Sequence, residues 1–227
     1  MPSLSTLVIT AGPGIGDSLA NRLRGRGDEV FLTDPALDLT DAATVGDSLR
    51  SLIGKKKVDN VVLAALNPAA FQALPITGLS EDQWDDAAEW SMRAAFVSLQ
   101  QVHEVITDGG RVIVILPTVA ATGVADLVPL CTAVEAIRVM AKAVARRWGA
   151  RSITVNTIEV ELTAFILGDA EASDIELPVV PILGQPALPL GSAVDDVLGL
   201  FDLLTSPSGG AVTGALLVAD RGTVMQP

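Results

Sequence analysis

A doubly wound parallel α/β sheet, covered by helices on both faces, is the fold class that three features of the sequence predict. Short β-branched runs alternate with helix-like patterns, as strand-helix-strand units require. The first run ends in a glycine cluster that opens a helix. The apolar runs are continuous rather than alternating, as in strands buried on both faces. At 227 residues, with 49% hydrophobic and 19% charged content, the chain suits one domain over residues 1–227.

Taken in order, residues Ser5 to Thr10 predict the first strand. Ala11-Gly12-Pro13-Gly14-Ile15-Gly16 forms the turn, and Leu19, Ala20 and Leu23 then recur at helical spacing. Glu29 to Thr33 is a second strand ending at Asp34. Val61 to Ala65, Arg111 to Leu116, Ser152 to Ile158 and Ala215 to Val218 are further buried-strand segments. Ser80 with Gln83 three residues on makes a capping box for a helix over 80–106. A second long helix spans 129–148. On it Glu135, Arg138, Lys142 and Arg146 fall on one narrow stripe, expected to face water, while the rest of the circumference is apolar. Such a helix packs on two sides, one against its own sheet and the other against a second subunit, so an oligomer through helices 80–106 and 129–148 is expected. Gly168 to Gly191 reads as a long surface loop of the kind that covers a ligand crevice.

Composition narrows the function classes. The formal charge of −12 disfavours nucleic acid and anionic membranes, whose phosphates demand Lys or Arg. Between Arg151 and Arg221 there is no basic residue, so that half offers no cation to a phosphorylated substrate. Lys55-Lys56-Lys57 is a short basic run that reads as a solvated loop. No apolar run reaches the roughly 18 positions of a membrane span. The N-terminus leads directly into the first strand, and Cys131 is the only cysteine, so a reducing cytoplasmic location is expected. One His and one Cys on different helices match no metal-ligand spacing, so no metal is expected.

Seven segments together carry a resemblance that spans almost the whole chain. They are Thr10 with Gly14-Ile15-Gly16; Asp38-Leu39-Thr40-Asp41; Trp84 opening a helix; Gly110-Arg111-Val112; Ile153-Thr154-Val155-Asn156; Pro189-Leu190-Gly191; and Gly214 followed by Val218-Ala219-Asp220-Arg221-Gly222. In this order they resemble the short-chain dehydrogenase/reductase (SDR) family. The resemblance implies a Rossmann-type doubly wound parallel sheet in three layers, α/β/α. Because few residues separate Asp34 from Asp38, the helix after the second strand is expected to be shortened or missing.

The family's reaction uses a Tyr for proton transfer and a Lys one helical turn on that lowers its pKa. A Ser steadies the substrate oxygen and an Asn holds a relay water. Carried over position by position, the Tyr falls on Leu130, the Lys on Val134, the Ser on Pro117 and the Asn on Ser91. The chain contains no tyrosine anywhere. A slip of one residue would place Thr118, Cys131 and Glu135 in those roles. A thiol beside a carboxylate has no cation to stabilise its thiolate, so it makes a poor relay. His103, the only histidine, lacks a second partner and reads as a surface or interface residue, and no Gly-x-Ser-x-Gly elbow is present.

Cofactor binding is the remaining question at this stage. By the resemblance, Gly12, Gly14, Ile15 and Gly16 would cradle a pyrophosphate, and Asp34 would hold ribose hydroxyls, which selects NAD over its 2′-phosphorylated relative. Asp38, Leu39 and Ala65 complete the implied cofactor set. Pro13 removes an N–H from the turn, and Leu66 stands where the family has a glycine beside the ribose. The same glycines also serve a tight strand-to-helix turn without any ligand. NAD binding is therefore expected to be weak or absent. Three functional expectations follow. One is a non-catalytic partner of an active SDR paralogue, similar to the tyrosine-less subunits of heteromeric ketoreductases. Another is a reassigned lyase or isomerase using Glu159 or Glu161 as base, and the last is an NAD or small-ligand sensor.

Overall fold

The computed structural model describes residues 4–170, 185–189 and 191–225. Six strands form one parallel sheet in the order β2-β1-β3-β4-β5-β6. They are β1 (Ser5–Thr10), β2 (Glu29–Leu32), β3 (Val58–Ala64), β4 (Ile106–Pro117), β5 (Thr154–Val160) and β6 (Leu216–Val218). Strands β1, β3 and β4 carry continuous aliphatic runs, Leu7 to Ile9, Val61 to Leu63 and Val112 to Leu116, the pattern that a sheet sandwiched between helices demands. Chain direction reverses between β1 and β3: β1 leads outward to β2, and everything from β3 onward builds the other side. This is a topological switch point, which in open α/β sheets marks the ligand crevice.

The helices are α1 (Ile15–Gly25), α2 (Ala42–Ile53), α3 (Glu81–Trp84), α4 (Trp90–Val105), α5 (Val128–Trp148), α6 (Leu162–Leu167) and α7 (Ala193–Thr205). Helix α1 packs with α7 on one side of the sheet, while α2, α4 and α5 pack in series on the other. The capping box at Ser80 and Gln83 forms as the spacing predicts. The helix it opens passes through a π turn, Asp85–Glu89, before continuing as α4.

Between Asp34 and Asp38 the chain takes a turn, closed by the Leu37 N–H donating to the Asp34 carbonyl at 3.0 Å. No helix lies between Asp34 and Asp38, but the connection from the second strand is not without one, which corrects the expectation of a shortened or missing helix there. The chain then enters α2, which the sequence reading did not anticipate although its signals are present: Asp41 caps it through the Thr44 N–H, and Val45, Leu49 and Ile53 recur on its buried face. Helices α6 and α7 were likewise unanticipated. Most of the Gly168–Gly191 segment, expected as a covering loop, lies outside the described residues. No helix of the described residues is long and apolar enough to cross a membrane.

Candidate functional site

The crevice at the switch point is bounded by the turn after β1, the end of β3, the end of β4 and the first turns of α5. At the β1 turn, Thr10 Oγ1 donates to the Gly12 carbonyl at 2.6 Å, folding the glycine segment over the strand end. Gly14 adopts φ +148 and ψ −148, a conformation that L side chains rarely take. A Cβ on Gly16 would stand 3.1 Å from that of Ala64, so this glycine lets α1 approach β3 closely. Sequence and structure agree on what Gly14 and Gly16 do for the backbone.

What lies above the turn was not foreseen. Helix α6 folds back onto it, and a Cβ built on Gly14 would sit 2.6 Å from the Phe165 carbonyl oxygen and 3.0 Å from that of Ile166. Gly168, at φ +57, ends α6 against the Gly14 carbonyl, and the Asp169 N–H donates to Ser18 Oγ at 2.9 Å. Phe165 meets Phe71 edge to face at 6.0 Å between ring centroids. Arg22 of α1 draws Asp169 and Asp195 to 3.4 and 3.6 Å. Asp17, in the first turn of α1, sits 3.4 Å from Thr10 Oγ1; partial burial raises its carboxyl pKa, and the Thr10 hydrogen bond offsets part of that rise. With α6 here, backbone carbonyls stand over Gly14, while Gly12 keeps open space, and the charged side chain in the first turn of α1 is an acid. At Gly14 this lining does not suit the pyrophosphate that the turn's sequence implies.

The other implied cofactor positions are engaged locally. The Asp34 carboxylate accepts from the Ala36 N–H at 2.8 Å, bracing the turn toward Asp38. Asp38 accepts from the backbone and side chain of Thr40 at 2.9 and 2.6 Å, and these bonds hold its carboxyl below the usual carboxylate range. Leu39, Ala65 and Leu66 are core residues, as is Ile15. Leu66 therefore fills core space at the end of β3 rather than merely narrowing a ribose pocket.

The positions expected to carry the family's reacting groups are more fully absorbed. Leu130 and Val134 have no exposed surface and belong to the central apolar cluster. Pro117 ends β4, paired in register with Val160. Ser91 Oγ donates to the Ala87 carbonyl at 2.7 Å and accepts from the Asn67 N–H at 3.0 Å, so its hydroxyl ties the π turn to the segment after β3. Thr118 is completely buried. Cys131 Sγ points toward the Val119 carbonyl at 3.9 Å, and burial, reinforced by Glu135, pushes its thiol up, away from a reactive thiolate.

Two expectations about charge are corrected here. The α5 stripe does not face water along its length: Lys142 and Arg146 are exposed, but Arg138 turns inward and stands 3.6 Å from Glu159, with Glu135 paired to the same guanidinium. Glu159 is not on a loop, because β5 runs two residues past the predicted end and carries it into the sheet at 1% exposure. A buried carboxylate is tolerated where a cation pairs with it, and here Arg138 supplies that cation. Glu159 is thus engaged in an ion pair inside the sheet rather than solvated on a loop. Glu161 is exposed and accepts from Thr163 Oγ1. His103 meets Trp148 in a tilted ring contact, 5.3 Å between centroids, on the far end of α4 from the crevice. Among the described residues no group of three or more His, Cys, Asp or Glu comes together to hold a metal.

Lys55-Lys56-Lys57 lies at the opposite end of the sheet, at the start of β3. Lys56 pairs with Glu29, and Lys57 Nζ donates to the Glu104 carbonyl, complementing the C-terminal end of α4. With Arg50 and Gln101 these lysines line a cavity of about 340 Å³.

Comparison with known proteins places these departures. The profile of the family described as "Enoyl-(Acyl carrier protein) reductase" matches residues 36–224. A D-threitol dehydrogenase of Mycolicibacterium smegmatis is 26% identical over 95% of this chain and 91% of its own length. A short-chain dehydrogenase/reductase from Serratia marcescens superposes with a TM-score of 0.75 at 24% identity, covering 97% of each chain. A blue fluorescent protein from a metagenomic library, solved in complex with NADPH, reaches 0.78 at 25% identity, covering 98% of this chain and 99% of its own.

Proposed function

The chain belongs to the short-chain dehydrogenase/reductase family, and on that premise we propose that it is a non-catalytic subunit that completes an oligomer with a tyrosine-bearing member of the same family. The observation that carries this reading is the complete burial of Leu130 and Val134. Hydride transfer in this family needs a phenol and an ammonium facing the cleft, and two aliphatic side chains in the core can neither donate a proton nor tune a pKa. Pro117 and Ser91 add to it, the first having no hydroxyl and the second spending its hydroxyl on the backbone.

What the chain keeps is the scaffold around those positions. Its outer surfaces include Phe96 on α4 at 55% exposure and Val139 on α5 at 61%. Ala136 and Ala143 flank Val139 on the same side of α5 at helical spacing. Large apolar side chains held in water on two packed helices suit a partner surface, because covering them recovers the hydrophobic term left unused in the free chain. A partner that still carries Tyr and Lys would supply the chemistry.

Co-expression with a tyrosine-bearing SDR subunit from the same source tests the reading. Co-elution at a fixed stoichiometry, abolished by Phe96→Asp with Val139→Asp, is the expected result. A stable homo-oligomer that takes up no such partner would overturn it.

A further inference from the structure

Independently of which partner the chain joins, we infer that α6 is the resident occupant of its glycine turn, so that the dinucleotide site is sealed by the chain's own backbone. The family's implied ligand for Gly12 to Gly16 is an anion, attracted by N–H groups and the positive end of α1. In this chain the last turn of α6 holds that ground. The carbonyls of Phe165 and Ile166, which carry partial negative charge, abut Gly14. They occupy the space beside Gly14 without importing a full charge.

Separate contacts hold α6 in place. Gly168 turns the chain at φ +57 directly against the Gly14 carbonyl, where any side chain would collide. The Asp169 N–H is tied to Ser18 Oγ on the next turn of α1. Arg22 ties Asp169 and Asp195 to α1 from outside, and Phe165 is wedged on Phe71 from inside. Asp17 adds a carboxylate where an incoming pyrophosphate would be repelled, and Pro13 leaves the turn one donor short. These features belong to the β1 turn, α1, α6 and the elements packed beside them. Together they convert a cofactor turn into a structural joint.

The test measures binding and local exchange on the whole protein. Calorimetric titration of the wild type with NAD+, NADH, NADP+, NADPH and inorganic pyrophosphate is expected to give no heat at millimolar ligand. Amides of Gly14 to Asp17 and of Phe165 to Gly168 are expected to exchange slowly and together. In the Ser18→Ala/Arg22→Ala variant, which removes two fastenings without emptying the core, exchange over Phe165 to Gly168 should speed up about tenfold. Pyrophosphate binding should then become measurable. Phe165→Ala is the stronger version, and if it does not fold, the double variant and the wild-type titration still decide. Wild-type binding of a dinucleotide with α6 protection unchanged would overturn the inference. So would a loosened α6 that still admits no anion, since the loss would then belong to Asp17 and Pro13 alone. Neither result depends on whether a partner subunit co-elutes.

Discussion

On the proposed reading, the glycine turn between β1 and α1 and the N-terminal half of α5 part from the family's chemistry by opposite routes. The turn keeps its residue types, with Gly12, Gly14 and Gly16 all present, but α6 lies across it and closes its approach. Helix α5 keeps its position and backbone, but the side chains at 130 and 134 are aliphatic and have joined the core. In one region the groups remain and the opening is gone; in the other the groups themselves are gone. A residue pattern reports what a segment does for the fold before it reports what the segment does for a ligand.

The comparison breaks most visibly at Val134. Placing the family's cation there by Val134→Lys would bury an ammonium with no phenol or carboxylate beside it, and stability should fall by about 3 kcal/mol or more in chemical denaturation. Leu130→Ala should cost about 2–5 kcal/mol through the cavity it leaves. Normal stability in both variants would mean that the first turns of α5 face an open cleft, and the contrast between the two regions would disappear.

At the turn, the two glycines separate a structural joint from a cofactor cradle. Gly14→Ala forces an unfavourable backbone and a contact with the Phe165 carbonyl, so a loss of about 1–3 kcal/mol is expected. Gly12→Ala meets nothing within 4 Å and should stay within about 0.5 kcal/mol of wild type. In a working dinucleotide site Gly12 would also matter, because a cofactor's phosphates approach it; the prediction is that it does not matter even with NAD present.

The smallest effects are electrostatic and opposite in sign. Asp17 has its pKa raised by burial, so its contribution to stability is fullest below the unfolded value near 3.8 and is lost as pH rises through the folded pKa. Asp17→Asn should therefore compare better with wild type at pH 7 than at pH 3. Asp38 has its pKa lowered by Thr40, so its contribution is present above the unfolded value and is lost as pH falls through the folded one. Asp38→Asn should be slightly destabilising at pH 7 and neutral at pH 2. Matched thermal melts across pH would expose either sign.

How much of this was legible in the sequence differs by element. The strands and the capped helix at Ser80 were readable because β-branched runs and the Ser80-Gln83 spacing act through local physics. Strand β1 emerged with its predicted bounds, and α5 began one residue early. Helix α2 was missed because the Asp38-Leu39-Thr40-Asp41 segment was read for its resemblance, while Asp41 was also acting as an N-cap. The absence of Tyr, Lys, Ser and Asn at four positions was plain from residue types. The covering of Gly14 was not, since it depends on two segments some 150 positions apart meeting backbone to backbone. Arg138 illustrates the same limit: helical spacing placed it on a charged stripe, but only the length of β5 brings Glu159 within its reach.

The most direct test of the account is the rate at which the homogeneous chain alone oxidises NADH or NADPH in the presence of carbonyl compounds. No turnover above the buffer control is predicted, with any substrate, because the aliphatic Leu130 and Val134 stand at the positions expected for the family's proton-transfer pair. Sustained turnover that tracks this polypeptide through purification would contradict it, and would mean that the aliphatic positions on α5 are not where this protein does its chemistry.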